Sequence, residues 1–297
     1  MKETIKRKSS KFLLSFFRAI LLIGLCYLIL SPFIDDAIMG FMSPGDLLDV
    51  RVQNIPLNFS TYYWKHAWNA LDIGGAGQNT FITSFVSALL QVICCTLVGY
   101  GLGRSPFKAG KILTAALAVI MLVPYSVYSV SQYLLFKDFL FFGNLINTSY
   151  PLYILSFFGM GLKEAFYIYL MKEFFKSLPS ELEQAAYVDG ASIFKTFILV
   201  MVPNVRNIML TIFMLSFCWQ WTDVSFTSTF YNNQNTLATK ITSAAMETST
   251  VASTQDVLGT AIARHTAIII AIIPLLLMYA FCQKSLVRSI ARSGLAN

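Results

Sequence analysis

The sequence predicts an all-α, polytopic membrane protein, and three observations carry that prediction. Of its 297 residues, 56% are hydrophobic and only 12% are charged, which is too little polar surface to cover a soluble globule. Mean hydropathy is +0.62, and apolar runs of roughly 20 residues, enough to cross about 30 Å of hydrocarbon, recur along the chain. The charges are also segregated, with bases in alternate loops and acids in the others.

Six runs account for the membrane-crossing pattern: Phe12 to Phe33, Thr80 to Leu102, Ile112 to Ser129, Leu152 to Met171, Val205 to Trp221 and Thr260 to Phe281. The first opens like a signal peptide but is long and has no small-residue cleavage site after Leu30, so it reads as an uncleaved anchor. The third continues through a Tyr- and Phe-rich stretch to Phe142, where Pro124, Lys137 and Asp138 predict one crossing and then a course near the interface. Five or seven crossings fit the same pattern.

Orientation follows from the positive residues, which are retained on the cytoplasmic side. Lys2 to Lys11, Arg104 to Lys111, Lys172 to Arg206 and Lys284 to Arg292 hold most of the bases. Both termini are therefore expected in the cytoplasm. The opposite side takes most of the acids, among them Asp35, Asp36, Asp46, Asp49 and Asp72. The net charge of +7 thus reflects topology, and no aromatic-interleaved basic face points to nucleic acid. Cys26, Cys94, Cys95, Cys218 and Cys282 fall in or beside apolar runs, with no metal or redox spacing.

The whole chain, 1–297, reads as one transmembrane domain with three notable loops. The first outside loop, 34–79, carries turn signals at Ser43-Pro44-Gly45 and Gly74 to Gly77. Between them Asn58 to Leu71 predicts an amphipathic helix whose Tyr62, Tyr63, Trp64 and Trp68 suit the headgroup layer. The last outside loop, 222–259, is rich in Thr, Ser, Asn and Gln, too polar for the bilayer and too long for a tight turn.

The inner loop, 172–204, holds the most distinctive pattern. Ser180 with Glu183 predicts a capping box. Glu181 and Glu183 oppose the positive end of the helix dipole, Leu182, Ala185 and Ala186 share one small apolar face, and Gly190 can end the helix. A second helix is expected from the Ser192 cap through Ile193, Phe194, Phe197 and Ile198, broken by Pro203. The pattern fits a helix resting on the inner membrane face and equally one docked into another protein.

The run Leu178 to Ser192, Leu-Pro-Ser-Glu-Leu-Glu-Gln-Ala-Ala-Tyr-Val-Asp-Gly-Ala-Ser, followed by Pro203, resembles the EAA loop of ABC importer permeases. The resemblance is to the carbohydrate-uptake group, typified by the second, six-span permease of the maltose importer. It extends from roughly Thr80 to the C-terminus. Trp219-Gln220-Trp221-Thr222-Asp223 stands where that group often has Trp-Asn-Asp, and the tail from Gln283 to Arg288 is similar too. Two departures occur: Gln184 replaces the glutamate that names the motif, and Val202-Pro203 replaces Leu-Pro. Glutamine keeps length and hydrogen bonding but loses the charge.

The resemblance implies a type I importer fold in the bacterial-type inner membrane, with this chain forming half of a pathway for a carbohydrate, oligosaccharides favoured. The implied partners are a second homologous permease, a cytoplasmic ABC ATPase dimer, an extracytoplasmic solute-binding protein and the lipid bilayer. No G-x-x-x-x-G-K-[ST] occurs, so the chain is read as non-catalytic and free of cofactors of its own, with ATP and Mg expected in the ATPase. Candidate ATPase-coupling residues are Glu181, Glu183, Gln184, Ala185, Ala186, Asp189 and Gly190.

Lys163 and Glu164 lie within the fourth run, where each charge costs a few kcal/mol unless paired or wet. Contacts across a subunit interface and contacts with solute both fit them. Trp219, Gln220, Trp221 and Asp223 combine flat rings with hydrogen-bonding groups, a chemistry suited to sugars, though an aromatic belt explains the tryptophans equally well. Gly159 and Gly161 predict close helix approach or local unwinding, and Gly99, Gly101 and Gly103 a comparable packing role. By resemblance, Asn232 to Asn235 or Glu247 to Thr250 are candidate contacts with the binding protein. An ion-coupled secondary transporter and a non-transporting membrane scaffold are the alternative readings.

Overall fold

The computed structural model describes residues 2–49, 51–52, 55–104, 109–231, 236–243 and 254–294. It is helical throughout, and the only β pairing among the described residues is an isolated bridge between Phe139 and Gly143. The chain divides into two compact units. One comprises Met1–Ala70 and Ala244–Ile270, the other Leu71–Ser243 and Ala271–Asn297.

In the first unit α1 (Lys2–Met39) is a single helix. No residue in its most apolar window is buried, and Phe17, Ile23 and Leu28 are all more than two-thirds exposed, as a lipid-facing span requires. The amphipathic helix expected from Asn58 is shorter, α2 (Tyr62–Leu71). Tyr63 is buried against Ile262 and Ala263, with Met39 and Leu47 packed around them. His265 Nδ1 lies 2.7 Å from Asp36 Oδ1.

The second unit is built around α3 (Gln78–Arg104), the most enclosed of the long helices, with half of its apolar window buried. Its inward stripe is polar: Thr80, Thr83, Ser84, Ser87 and Gln91 are all buried. In lipid such groups must find partners within the protein. Thr80 does so by donating to the Ala76 carbonyl at 2.6 Å and accepting from the Leu237 amide at 2.8 Å.

The third and fourth apolar runs are divided. The third is α4 (Gly110–Leu122), a 3-10 turn (Tyr125–Val127) and α5 (Ser129–Lys137), because Pro124 holds Val123 extended. The fourth is α6 (Tyr150–Phe157) and α7 (Glu164–Ser177), separated by a break in which Gly159 (φ +80°) and Lys163 (φ +58°) adopt left-handed conformations. Local unwinding at Gly159 and Gly161 is thus what the fold contains. Among the described residues, four continuous helical segments are long and apolar enough to cross a bilayer: Leu13–Met39, Ile73–Arg104, Ile193–Thr222 and Val257–Gln283.

Gly99 and Gly103, but not Gly101, make the close approach expected of all three. A Cβ at Gly99 would sit 2.7 Å from Met171 Cγ, and one at Gly103 would sit 2.8 Å from the Lys172 carbonyl oxygen. Around Gly101 there is open space. Around the α3–α7 seam, Tyr167, Met171, Phe175, Met201, Val205 and Ile212 belong to one buried apolar cluster.

The expected break at Pro203 does not occur. After α8 (Glu181–Val188) and a turn, α9 (Ile193–Thr196), a π-helical segment (Phe197–Met201) and α10 (Val202–Thr222) form one continuous helical run. Proline lies in the first turn of α10, after a widened π turn, where its missing N–H and its ring are tolerated. The Asn204 amide donates to the Val200 carbonyl at 2.7 Å. Beyond α10 come α11 (Ser225–Phe230), α12 (Leu237–Thr242) and α13 (Thr254–Gly294), the last contributing residues to both units.

Candidate functional site

The loop 172–204 contains a short helix, α8, with a well-made end and an altered start. At the end, Gly190 has φ +79°, its amide donates to the Tyr187 carbonyl at 3.0 Å, and the Ala191 amide donates to the Ala186 carbonyl at 2.9 Å. This pair of bonds is a Schellman motif, which requires a residue at ease in the left-handed region. Nothing lies within 4 Å of a Cβ placed at Gly190, so glycine is needed there for the backbone and not for space.

At the start, the capping box is absent. Ser180 is in the right-handed helical region and makes no side-chain cap. Glu183 has turned away to two side chains of α3 instead. Its Oε2 lies 2.9 Å from Arg104 Nε, and its Oε1 accepts from the Tyr100 hydroxyl at 2.9 Å. A charged donor outcompetes a backbone N–H that solvent can satisfy. The Ser192 cap does form, accepting from the Lys195 amide at 3.3 Å.

The candidate coupling residues separate by face. Glu181, Gln184, Ala185, Asp189 and Gly190 are exposed, whereas Ala186 is buried and Glu183 is engaged with α3. Val188, Ile193 and Phe194 are exposed apolar neighbours, at 88%, 69% and 69%. An apolar surface this open beside a polar helix marks a place that another protein can cover.

The candidates within the membrane also separate. Lys163, at the break, places Nζ 5.2 Å from the centre of the half-exposed Trp219 ring. Glu164, its neighbour, is buried and accepts from the Gly161 amide at 2.7 Å. Gln91 bridges the same region, donating to the Leu162 carbonyl at 3.3 Å and accepting from Ser216. Together Glu164 and Gln91 satisfy backbone groups that the unwound segment leaves without helical partners.

Gln220 and Asp223 are held elsewhere. The Gln220 amide donates to Thr227 Oγ1 at 3.1 Å, and Asp223 Oδ2 accepts from the Thr227 amide at 2.7 Å, starting α11. Trp221 is buried, its indole N–H donating to the Ala271 carbonyl at 3.1 Å. Beside the break lies a cavity of about 620 Å³ lined in part by Leu122, Pro124, Tyr125, Tyr128, Gly161 and Lys163. Of the six pathway candidates, Lys163 and Trp219 form one exposed pair, and the others are tied into the helices. Asn232 to Asn235 and Glu247 to Thr250 lie outside the described residues.

Residues 95–292 match the model of the binding-protein-dependent transport system inner membrane component family. The chain belongs to this family. As a member of it, the protein is a component of the inner membrane.

The melibiose/raffinose/stachyose import permease of Bacillus subtilis (strain 168) is 30% identical over 180 residues, 60% of this chain and 63% of that protein. The chain therefore spans less than two thirds of that relative's length. The diacetylchitobiose uptake permease NgcG of Streptomyces coelicolor is 24% identical over 272 residues, 92% of this chain and 86% of its own. A crystal structure of a bacterial ABC transporter involved in the import of the acidic polysaccharide alginate shares the fold. Its TM-score is 0.65 at 18% identity, over 93% of this chain and 97% of that one.

For this protein, sequence reasoning missed Arg104, Tyr100 and Gln91. Arg104 was read only as a topology signal, and its partners lie some 75 residues onward in the chain. Spacing on α3 could have flagged the face, since Tyr100 and Arg104 are one turn apart.

Proposed function

We propose that this chain forms half of the translocation pathway of an ABC importer for a carbohydrate, with an oligosaccharide the favoured solute. In this reading it crosses the membrane six times with both termini inside. It pairs with a second permease, receives solute from an extracytoplasmic binding protein and couples through residues 181–190 to a separate ATPase dimer that holds ATP and Mg. One observation carries the proposal: a short helix stopped by a Schellman motif at Gly190, exposing Gln184, Ala185, Val188 and Asp189 beside the apolar Ile193 and Phe194. A capped helix transmits displacement where a floppy loop would absorb it, and the small Ala185 permits close docking.

The sugar assignment is supported by the named uptake permeases among its relatives and by the chemistry at the break. The exposed Trp219 ring, with Lys163 above it, offers a flat apolar face beside a hydrogen-bond donor, and the adjoining cavity adds the Tyr125 and Tyr128 rings. Reconstitution into liposomes tests the reading. Oligosaccharide uptake should require ATP, a binding protein, an ATPase and a second permease together. Uptake driven by an ion gradient alone would instead select a secondary carrier, and no flux in any combination would select a scaffold.

A further inference from the structure

The inner end of α3 grips the start of α8 through one side chain. Arg104, the last residue of α3, donates from Nη1 to the Leu178 carbonyl at 3.0 Å and from Nη2 to the Pro179 carbonyl at 3.0 Å. Its Nε lies 2.9 Å from Glu183 Oε2, a charge contact in which the N–H is not aimed at the oxygen. Tyr100, one turn earlier, donates to the other carboxylate oxygen at 2.9 Å. Both charged side chains are largely buried, with Arg104 at 11% and Glu183 at 14% exposed.

The chain needs such a partner here. Leu178 leaves α7 in an extended conformation, so the carbonyls of Leu178 and Pro179 lie in the link between α7 and α8, where no helical N–H reaches them. A guanidinium, planar and always charged, reaches two carbonyls and a carboxylate from three separate nitrogens held in one plane, whereas an ammonium offers a single point. Tyr100 is fixed in turn, its ring 5.4 Å from Phe175 and 4.8 Å from Phe197. Just above, Gly99 and Gly103 bring the backbones of α3 and α7 together.

We infer that Arg104, with Tyr100 and Glu183, is a positioning clamp that makes α8 and the inner end of α3 move as one body, so that displacement of the coupling helix is delivered to the central helix of the pathway. The clamp holds α8 only at its first turn and leaves Val188 to Gly190 free for a partner. The inference rests on the functional reading above, because only a docked and driven α8 has a displacement to transmit.

Two measurements test it. In proteoliposomes containing the full importer, Arg104→Ala should leave ATPase activity within about twofold of wild type while solute carried per ATP falls at least about fivefold, the lower end of ordinary coupling between sites. Arg104→Lys should recover part of that ratio, since it restores the charge without the fork. An unchanged ratio in Arg104→Ala overturns the inference. If that variant does not assemble, Tyr100→Phe and Glu183→Gln should lower the same ratio by smaller amounts, and no change in either overturns it.

Independently of transport, spin labels at Gly101→Cys and Val188→Cys in the full chain, with the accessible Cys26, Cys218 and Cys282 changed to serine and the protein reconstituted alone, should give one narrow distance distribution that broadens when Arg104 becomes alanine. A distribution that stays narrow refutes the clamp whatever the uptake assay gives. Absence of ATP-driven uptake by the wild-type importer, with labels that do broaden, refutes the functional reading alone.

Discussion

Replacing Gly99 by alanine should destabilise the protein, whereas the same change at Gly101 should not. A methyl at position 99 would lie 2.7 Å from Met171 Cγ, 2.9 Å from Met171 Cβ and 3.1 Å from the Lys172 backbone nitrogen. A Cβ and a main-chain nitrogen cannot swing aside, so α3 and α7 must part. Overpacking of this kind costs about 1–3 kcal/mol, against about 0.5–1 kcal/mol returned by replacing glycine within a helix. At Gly101 nothing lies within 4 Å of the new methyl, and only the gain remains. The two variants should therefore differ by about 1–3 kcal/mol, set by the overpacking alone because the helix gain is common to both.

For a chain of this size each kcal/mol moves Tm by about 2–4 °C, so Gly99→Ala in detergent should melt roughly 2–12 °C below Gly101→Ala. Gly103→Ala should resemble Gly99→Ala, with the Lys172 carbonyl oxygen 2.8 Å and Phe175 Cβ 3.2 Å from its methyl. The double variant should lose less than the sum, since helices already parted leave room for the second methyl. Thermal unfolding of all four proteins is the assay. A Gly99→Ala protein as stable as Gly101→Ala would show that the seam between α3 and α7 is not a backbone-to-backbone contact.

Further predictions follow from other parts of the fold. Gly190→Val places a β-branched residue at φ +79° with no steric neighbour, costing the helix end about 1–2 kcal/mol. It should uncouple ATP hydrolysis from uptake while leaving the protein in the membrane, with Gly190→Asn milder; unchanged transport by the valine variant in proteoliposomes contradicts this. Lys163→Met and Trp219→Ala should each raise KM for uptake about twofold to fivefold, the size of an exposed cation–π contact, and equal KM values in both would remove the pair from the solute path. Asp72 is held below its usual value of 3.8, first by the Gly75 amide and then by Lys240. A carboxylate depressed by folding contributes stability above its unfolded pKa and loses it as pH falls through the folded value. Asp72→Asn should therefore flatten the decline of Tm below about pH 4, and an unaltered acid profile would show that Lys240 and Gly75 contribute nothing there.

The parts of this protein legible in its sequence are those set by local chemistry. The apolar runs marked the long helices because hydrocarbon demands length and hydropathy, and the pattern from Ser180 to Gly190 marked α8 because only glycine suits its final left-handed turn. Gly159 and Gly161 likewise signalled the unwound segment in the fourth run, although where α6 stops and α7 begins depended on Gln91 and Glu164 satisfying the exposed backbone. Pro203 misled, since a proline breaks a helix only where its missing N–H is needed, and a preceding π turn removes that need.

Contacts between distant segments belonged to the tertiary structure. Glu183 and Ser180 have the spacing of a capping box, yet the carboxylate goes to Arg104 and Tyr100, because a guanidinium and a phenol from α3 reach it in a largely dry place. Gly99 and Gly101 are the same residue two positions apart, and only packing against α7 decided that one is tight and the other open. By itself the sequence determined an all-α membrane chain with one exposed, glycine-stopped helix, since hydropathy and backbone preference act over a few residues. Which side chains hold that helix to the central span was decided by the fold alone, since the contact joins segments about 75 residues apart.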